Sequence, residues 1–397
     1  MHFISSTRQL LTESRQRLIT ELQTKGLRLT HAEQRHVSRR GGAGPSDHQA
    51  VTVDGTTLMV PIYSDSAWQS PFSVDSFEQG ELVVKVEGDK TIPIKNVSFA
   101  STPKFYDKVT ADGIPYSHIA TLHSRDVLAT TVLQTCIRYE SRRKSCKFCS
   151  IGQSLHTGRT IAHKTPAQLA EVAKAAVELD GVKHMVLTTG TPATLDRGAS
   201  ILCDSARAIK AAINIPIQGQ CEPPGDPAWY RRMKDAGIDT LGMHLEVVTL
   251  ELRREIMPGK AEVSVEQYMQ GFQKAVAVFG RGQVSTYILA GLGDSVELIL
   301  EISDRLIEVG VYPFVVPFVP IRGTPLEDHP PASAEFMESI LKPLGQRLHQ
   351  AGMMASNIKA GCGRCGACST LAGYEKAAEA HAVSIQTSAL AVAKSCG

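Results

Sequence analysis

"LATTVLQTCIRYESRRKSCKFC", residues 128–149, runs an apolar, β-branched segment straight into three cysteines. Its first half, "LATTVLQT", is rich in Thr, Val and Leu and reads as a buried strand. Its second half places Cys136 nine residues before Cys146, and Cys146 and Cys149 flank "KF" as a C-x-x-C pair. On residue types alone, three readings stay open. A structural zinc site takes four ligands, usually as two close pairs, and His156 stands at the wrong spacing to complete one. A thioredoxin-type pair would leave Cys136 without a role. Three thiolates on a [4Fe–4S] cluster leave one iron open for a substrate or cofactor.

Outward from this stretch the same rhythm repeats. "KHMVLTT" (183–189), "IPIQGQC" (215–221), "DTLGMHLE" (239–246), "QVSTYILAG" (283–291) and "VYPFVVPFV" (311–319) are strand-like and alternate with helical segments. The helices carry start signals. "TPAQ" (165–168) offers Thr165 as N-cap, Pro166 at the first helical position and Gln168 to close a capping box, and "SVEQ" (264–267) is a second box. Gly181, Gly237 and Gly280 are plausible stops. Six β-α units in a row predict a parallel sheet with helices outside. The expected fold is α/β, a partial (β/α)6 TIM-like barrel over residues 126–345. Before it, residues 1–125 form an N-terminal extension: helical over the first forty residues, with Leu10, Leu11, Leu18 and Leu22 in register, then a linker at "RRGGAGPSDHQ" (39–49), then β-rich. After it, 346–397 form a Cys-rich segment.

In parallel α/β folds the working residues sit at the carboxyl ends of strands. Cys136, Thr189–Gly190–Thr191, Glu222, His244, Glu246, Gly291 and Asp294 all fall there. Glu222 and His244 are the catalytic candidates. Each has a structural reading beside it: a turn former in "EPPGD", and a strand-end histidine with its bonds satisfied. Asp294 is positioned to cap the helix that follows.

The chain has 397 residues, enough for one large α/β domain with extensions or for two domains. A net charge of +2 gives no argument for a nucleic-acid or membrane partner, and neither is expected. No apolar run approaches the roughly 18 residues of a membrane span, and the first residues lack a signal-peptide core. The expected location is the cytoplasm. Nine cysteines in a reducing compartment point to metal or catalysis more than to disulfides. Three of them, Cys362, Cys365 and Cys368, form C-x2-C-x2-C in "GCGRCGACST" (361–370), like the first three ligands of a ferredoxin cluster. An auxiliary iron–sulfur cluster is the favoured reading of that run, with zinc or a flexible tail as rivals. Cys396, Cys221 or Cys203 could supply a fourth ligand.

"CKFC" at the end of the first strand resembles the cluster motif of the radical S-adenosylmethionine (radical SAM) superfamily. The usual spacing there is C-x3-C-x2-C, so the nine-residue first gap is a departure. "HLEVVTLELRREIMPGK" (244–260) is similar to a stretch of lipoyl synthases and their biotin-synthase-like relatives, "ILAGLGDS" to that family's fifth strand, and "VPIRGTPLE" (319–327) to its sixth strand exit. Closer still, the chain resembles the radical SAM protein of nitrilase-containing bacterial gene clusters.

The resemblance implies that Cys136, Cys146 and Cys149 hold a [4Fe–4S] cluster whose fourth iron takes S-adenosylmethionine. One-electron cleavage would free a 5′-deoxyadenosyl radical, which takes hydrogen from a small organic substrate, with nitrogen or nitrile metabolism as the setting. Cofactor contacts would come from Phe148, Thr189, Gly190, Thr191, Glu246, Arg254 and Gly291. An electron donor such as flavodoxin or ferredoxin is the implied partner, and the cationic loop (Arg138, Arg142, Arg143, Lys144) is its candidate dock, unless those charges are only solvated. A sulfur-inserting synthase with a sacrificial auxiliary cluster is an alternative reaction. A non-catalytic zinc or redox scaffold is the alternative of another class.

Overall fold

Seven strands form the central sheet of this computed structural model, which describes residues 15–29, 48–62, 69–74, 83–141 and 143–395. Strands are numbered along the chain. The N-terminal ones are β1 Arg28–Leu29, β2 His48–Val53, β3 Thr56–Pro61, β4 Phe72–Val74, β5 Val83–Glu87, β6 Lys90–Ile94 and β7 Val97–Phe99. The central ones are β8 Thr121–His123, β9 Val127–Thr131, β10 His184–Thr188, β11 Ile217–Gln220, β12 Thr240–Gly242, β13 Val284–Ala290 and β14 Val311–Pro317.

All six expected runs are strands, and β9 to β14 pair in parallel in strict sequence order. Their carboxyl ends therefore share one end of the sheet. β8 joins antiparallel to β9, so β8 and β14 are the two edges and the barrel is partial. Helices connect successive strands, and both expected capping boxes form, at Thr165 with Gln168 and at Ser264 with Gln267. Gly181 takes the left-handed conformation at the end of the first of these helices.

Strand alternation sorts side chains to two faces. Met185, Leu187, Ile217, Val284 and Ile288 pack in the main core with the helices. The opposite residues, Val127, Ala129 and Val186, face the concave side and meet Cys362 and Cys365. Phe105, Tyr116 and Ile119 belong to the main core, and so do Leu371 and Tyr374. The core thus reaches across both expected boundaries, at 125/126 and 345/346, because flanking segments cover surfaces that the sheet and helices leave apolar.

The N-terminal strands form two small sheets, β1-β4-β5-β6 and β3-β2-β7, around a core of their own. Residues 15–25 are helical. Leu10, Leu11 and most of the 39–49 linker lie outside the described residues.

Candidate active site

Five residues past the end of β9, Cys136 begins the nine-residue excursion to Cys146. This loop is anchored. Arg138 is buried and forms a two-pronged ion pair with Glu222, Nε to Oε1 and Nη2 to Oε2, both 2.7 Å. Its Nη1 also donates to the Gly259 carbonyl. Lys144 pairs with Glu262 at 2.5 Å, and its carbonyl accepts from the Gly259 N–H. Two of the four expected docking charges are therefore spent inside the chain. Arg143 remains exposed, and Arg142 lies outside the described residues.

Glu222 accepts from Thr191 as well, at 2.8 Å. Burial works against its charge, but the Arg138 hydrogen bonds and neighbouring cations hold its carboxyl below the usual carboxylate range. That makes it a clasp of the loop and a poor proton acceptor. The loop after β10 lies directly against the first cysteine. Gly190 donates its N–H to Leu133, and a Cβ there would stand 2.0 Å from the Thr135 carbonyl oxygen and 3.1 Å from the Cys136 Cβ. Glycine is required by this approach of two backbones.

Cys146 and Cys149 are withdrawn from solvent. Burial pushes the Cys149 thiol up to about 11 and the Cys146 thiol well up, with Lys260 pulling both back. Cys146 feels Cys149 and Cys136, and Cys149 feels Cys136, so the three thiols share one neighbourhood. Beside them Lys260 pairs with Glu246 at 2.7 Å. Desolvation disfavours the Lys260 ammonium, yet Glu246, Tyr268, Cys146 and Glu222 outweigh it and raise its pKa. Glu246 has φ 63°, a left-handed conformation that costs a residue with a side chain on the order of 1 kcal/mol or more. Such strain persists where surroundings impose it, here through Leu289 N–H and Tyr287 carbonyl bonds on either side. Phe148 packs with Cys146 on Val247, Met257, Leu292 and Phe318.

His244 lies on the concave side against the Tyr287 ring, centroids 4.5 Å apart. Its Nδ1 accepts from the Tyr287 N–H at 3.2 Å. Burial, then Lys260, lowers its pKa to about 3, so the ring is neutral and its proton sits on Nε2. That buried Nε2 has no hydrogen-bond partner among the described residues.

Other expectations are redistributed. Arg254, expected at the cofactor, is exposed, while Arg253 is buried. On the helix Leu250–Ile256, Arg253 shares the inward face with Ile256 three residues on, and it binds the carbonyls of Leu245, Val247 and Val263. Gly291, at φ 105°, packs against Ala332 at the end of β13. Ser295, not Asp294, caps the helix Val296–Glu308. Asp294 instead accepts from the Val248 and Thr249 N–H groups and ties strand end to strand end. Sequence reasoning missed Lys260 and the clasp role of Arg138, whose partners lie 14 and 84 residues away.

The second cysteine run lies at the other end of the sheet. Residues 355–370 cover the amino ends of the strands: Gly361 N–H donates to His184, Cys362 N–H to Gln218, and Thr240 to the Ala360 carbonyl. The N-terminal sheet covers this segment in turn, through Met59 N–H to Ala367 and through Ala50 and Met59 packed with Cys365 and Cys368. Burial pushes the Cys365 thiol up to about 12. Cys203 sits in the core on the helix Ala199–Ala212, and Cys221 follows β11 at the carboxyl end. Cys396 lies outside the described residues. No three His, Cys, Asp or Glu side chains close on a single-ion position among the described residues.

Known proteins resemble this chain in the region just described. The family model of the Radical SAM superfamily matches residues 142–306. This region of the chain is similar to the Radical SAM superfamily. The chain's similarity to bacteriochlorophyllide c C-7(1)-hydroxylase of Chlorobaculum limnaeum is 21% identity over 84% of each chain. A probable dual-specificity RNA methyltransferase RlmN of Rhodopirellula baltica is 23% identical over 55% of this chain and 60% of its own length. Among solved structures, methylornithine synthase (PylB) is 17% identical, covering 62% of this chain and 68% of that one, with a TM-score of 0.44.

Similarity to a probable RNA methyltransferase leaves the expected exclusion of nucleic acid without support. Among the described residues, no helix is long and apolar enough to cross a membrane.

Proposed function

We propose that the chain binds a [4Fe–4S] cluster through Cys136, Cys146 and Cys149, binds S-adenosylmethionine beside it, and removes a hydrogen atom from a small organic substrate. The observation that carries this reading is the meeting of three neighbouring thiols with the strained Glu246 and its Lys260 partner at the carboxyl ends of the strands. The thiols fit such a cluster: they share one neighbourhood, Cys146 and Cys149 are desolvated, and all three are outside any disulfide. When bound, the cluster and S-adenosylmethionine supply a 5′-deoxyadenosyl radical.

The chain's own residues do the rest. Lys260 offsets the negative charge of the thiolates in a low-dielectric setting. The Gly190 backbone and Thr191 hold the Cys136 segment from one side, and the Arg138–Glu222 clasp holds it from the other. Phe148 and the apolar residues around it exclude water. Thr189–Gly190–Thr191, Glu246 and Gly291 line the strand ends available to S-adenosylmethionine. His244 presents an Nε2–H toward the concave side, where it can orient an acceptor oxygen or nitrogen of the substrate. Arg143 is left for contact with a flavodoxin- or ferredoxin-like donor.

Cys362, Cys365 and Cys368 are read as an auxiliary iron–sulfur site. A sulfur-inserting reaction would have to open that site to substrate, and its place under the N-terminal sheet argues against this. The relatives named above are a hydroxylase and an RNA methyltransferase, which also favours hydrogen abstraction without sulfur transfer. A setting in nitrogen or nitrile metabolism rests on the sequence resemblance alone.

After anaerobic reconstitution, dithionite and S-adenosylmethionine should yield 5′-deoxyadenosine, and Cys146→Ala should abolish it. A Cys146→Ala protein that still forms 5′-deoxyadenosine would overturn the assignment.

A further inference from the structure

The concave face of the sheet is open between its two ends. Along β13 the outward Val284, Ile288 and Ala290 are buried, whereas the inward Tyr287 and Leu289 are only partly so. Thr188 at the end of β10 and His244, two residues past the end of β12, are also only partly buried. Water therefore reaches this face. Gln220 and Tyr287 mark its lower limit, since both hydrogen-bond the Cys362 sulfur. Leu289 marks its upper limit, since it packs on the same apolar cluster as Cys146 and Phe148. The space is a chamber, floored over the second cysteine run and opening toward the first.

The wall of this chamber is uncharged. Strands β9 to β14 contain no Asp, Glu, Lys or Arg. The charges beyond their carboxyl ends are spent on one another, Arg138 with Glu222 and Lys260 with Glu246. The wall is also aromatic: the His244 and Tyr287 ring centroids are 4.5 Å apart, and those of Tyr287 and Phe314 are 5.2 Å apart. Its other polar side chains are engaged. Thr188 donates to Thr131, and Gln220 Nε2 donates to Gln218 and to Cys362. His244 differs, with an Nε2–H that no described residue accepts. A charged group brought here would lose its hydration and meet no counter-ion. An uncharged planar group would pack against the rings, and an acceptor on it would satisfy the histidine.

We propose that this chamber holds the reacting part of the substrate, and that this part is an uncharged planar group bearing a hydrogen-bond acceptor, gripped by the His244 Nε2–H and the Tyr287 ring. The proposal rests on the reading of Cys136, Cys146 and Cys149 as the place where the radical forms. His244 is then a specificity-determining donor and not a base, because its Nδ1 is occupied by the Tyr287 N–H.

The test uses the full chain after anaerobic reconstitution, with S-adenosylmethionine present, and two probes of one shape, benzamide and benzoate. Equilibrium dialysis should show saturable binding of benzamide, with benzoate weaker by about tenfold or more. His244→Leu should weaken benzamide by about tenfold, the equivalent of one lost hydrogen bond. His244→Gln returns an N–H donor and should recover most of that loss, while Tyr287→Leu should weaken benzamide again. Urea midpoints taken on each variant separate lost binding from lost folding, and if His244→Leu does not fold, His244→Gln and Tyr287→Leu carry the comparison. Benzoate bound as tightly as benzamide would overturn the uncharged class and assign the probe to Lys260. No saturable benzamide binding, or binding indifferent to these substitutions, would overturn the chamber as the substrate site. Formation of 5′-deoxyadenosine, measured on the same wild-type sample, tests the underlying radical reading, so the two can fail separately.

Discussion

Two single positions carry unusual demands. At Gly190 even a methyl group would drive two backbones apart, because the obstructing atom is a carbonyl oxygen and not a side chain that can swing away. Gly190→Ala should lose about 1 to 3 kcal/mol of stability, read as a shift in urea midpoint. It should also cut 5′-deoxyadenosine formation far more than that loss explains, since the Cys136 segment must move with it. Wild-type turnover in this variant would show that the close approach is incidental. That this glycine stands at a strand end was legible in "TTGTP". That its partner is Thr135 was not, because the contact forms only when neighbouring strands come into register.

Among the elements, the Cys136–Cys146 loop is the one the sequence made most conspicuous and explained least. Its cationic character suggested a docking surface. The fold instead buries Arg138 against Glu222 and pairs Lys144 with Glu262. Removing one partner of a buried pair leaves the other charge unsolvated and costs on the order of 3 kcal/mol. Glu222→Gln should show such a loss in denaturant unfolding, together with poorer retention of iron. Replacing both partners with apolar residues, Arg138→Met with Glu222→Leu, should restore most of the stability. If the double variant is as unstable as the single one, the pair is not the source of the effect. The helix Leu250–Ile256 teaches the same lesson on a smaller scale. "RRE" does not say which arginine points inward, and the answer follows from the face that Ile256 occupies.

At the scale of the molecule, barrel, C-terminal helix and N-terminal sheet are joined through buried polar contacts as well as apolar ones. Glu375, on the helix Leu371–Ser395, accepts from Tyr312 at the start of β14 and from the Ala355 N–H. Burial, outweighing those bonds, raises its pKa to about 7 from an ordinary 4.5. The folded protein thus holds a proton there that the unfolded chain has lost. Stability should fall as pH rises from about 4.5 to about 7 and change no further from this group above that. Glu375→Gln should flatten this part of the pH–stability curve. An unchanged slope in the variant would assign the dependence to another group.

By itself, the sequence determined the strand order, the helix starts at Thr165 and Ser264, the end of the sheet where the candidate residues gather, and the two cysteine runs. These follow from local period, capping and spacing, which act over a few residues. The tertiary structure alone decided that Glu222 clasps Arg138, that Lys260 stands beside the thiols, that Arg253 and not Arg254 turns inward, and that His123 meets Cys368 across 245 residues of chain. Such pairings depend on which strand ends become neighbours and which face of each is concave, and no local pattern encodes that.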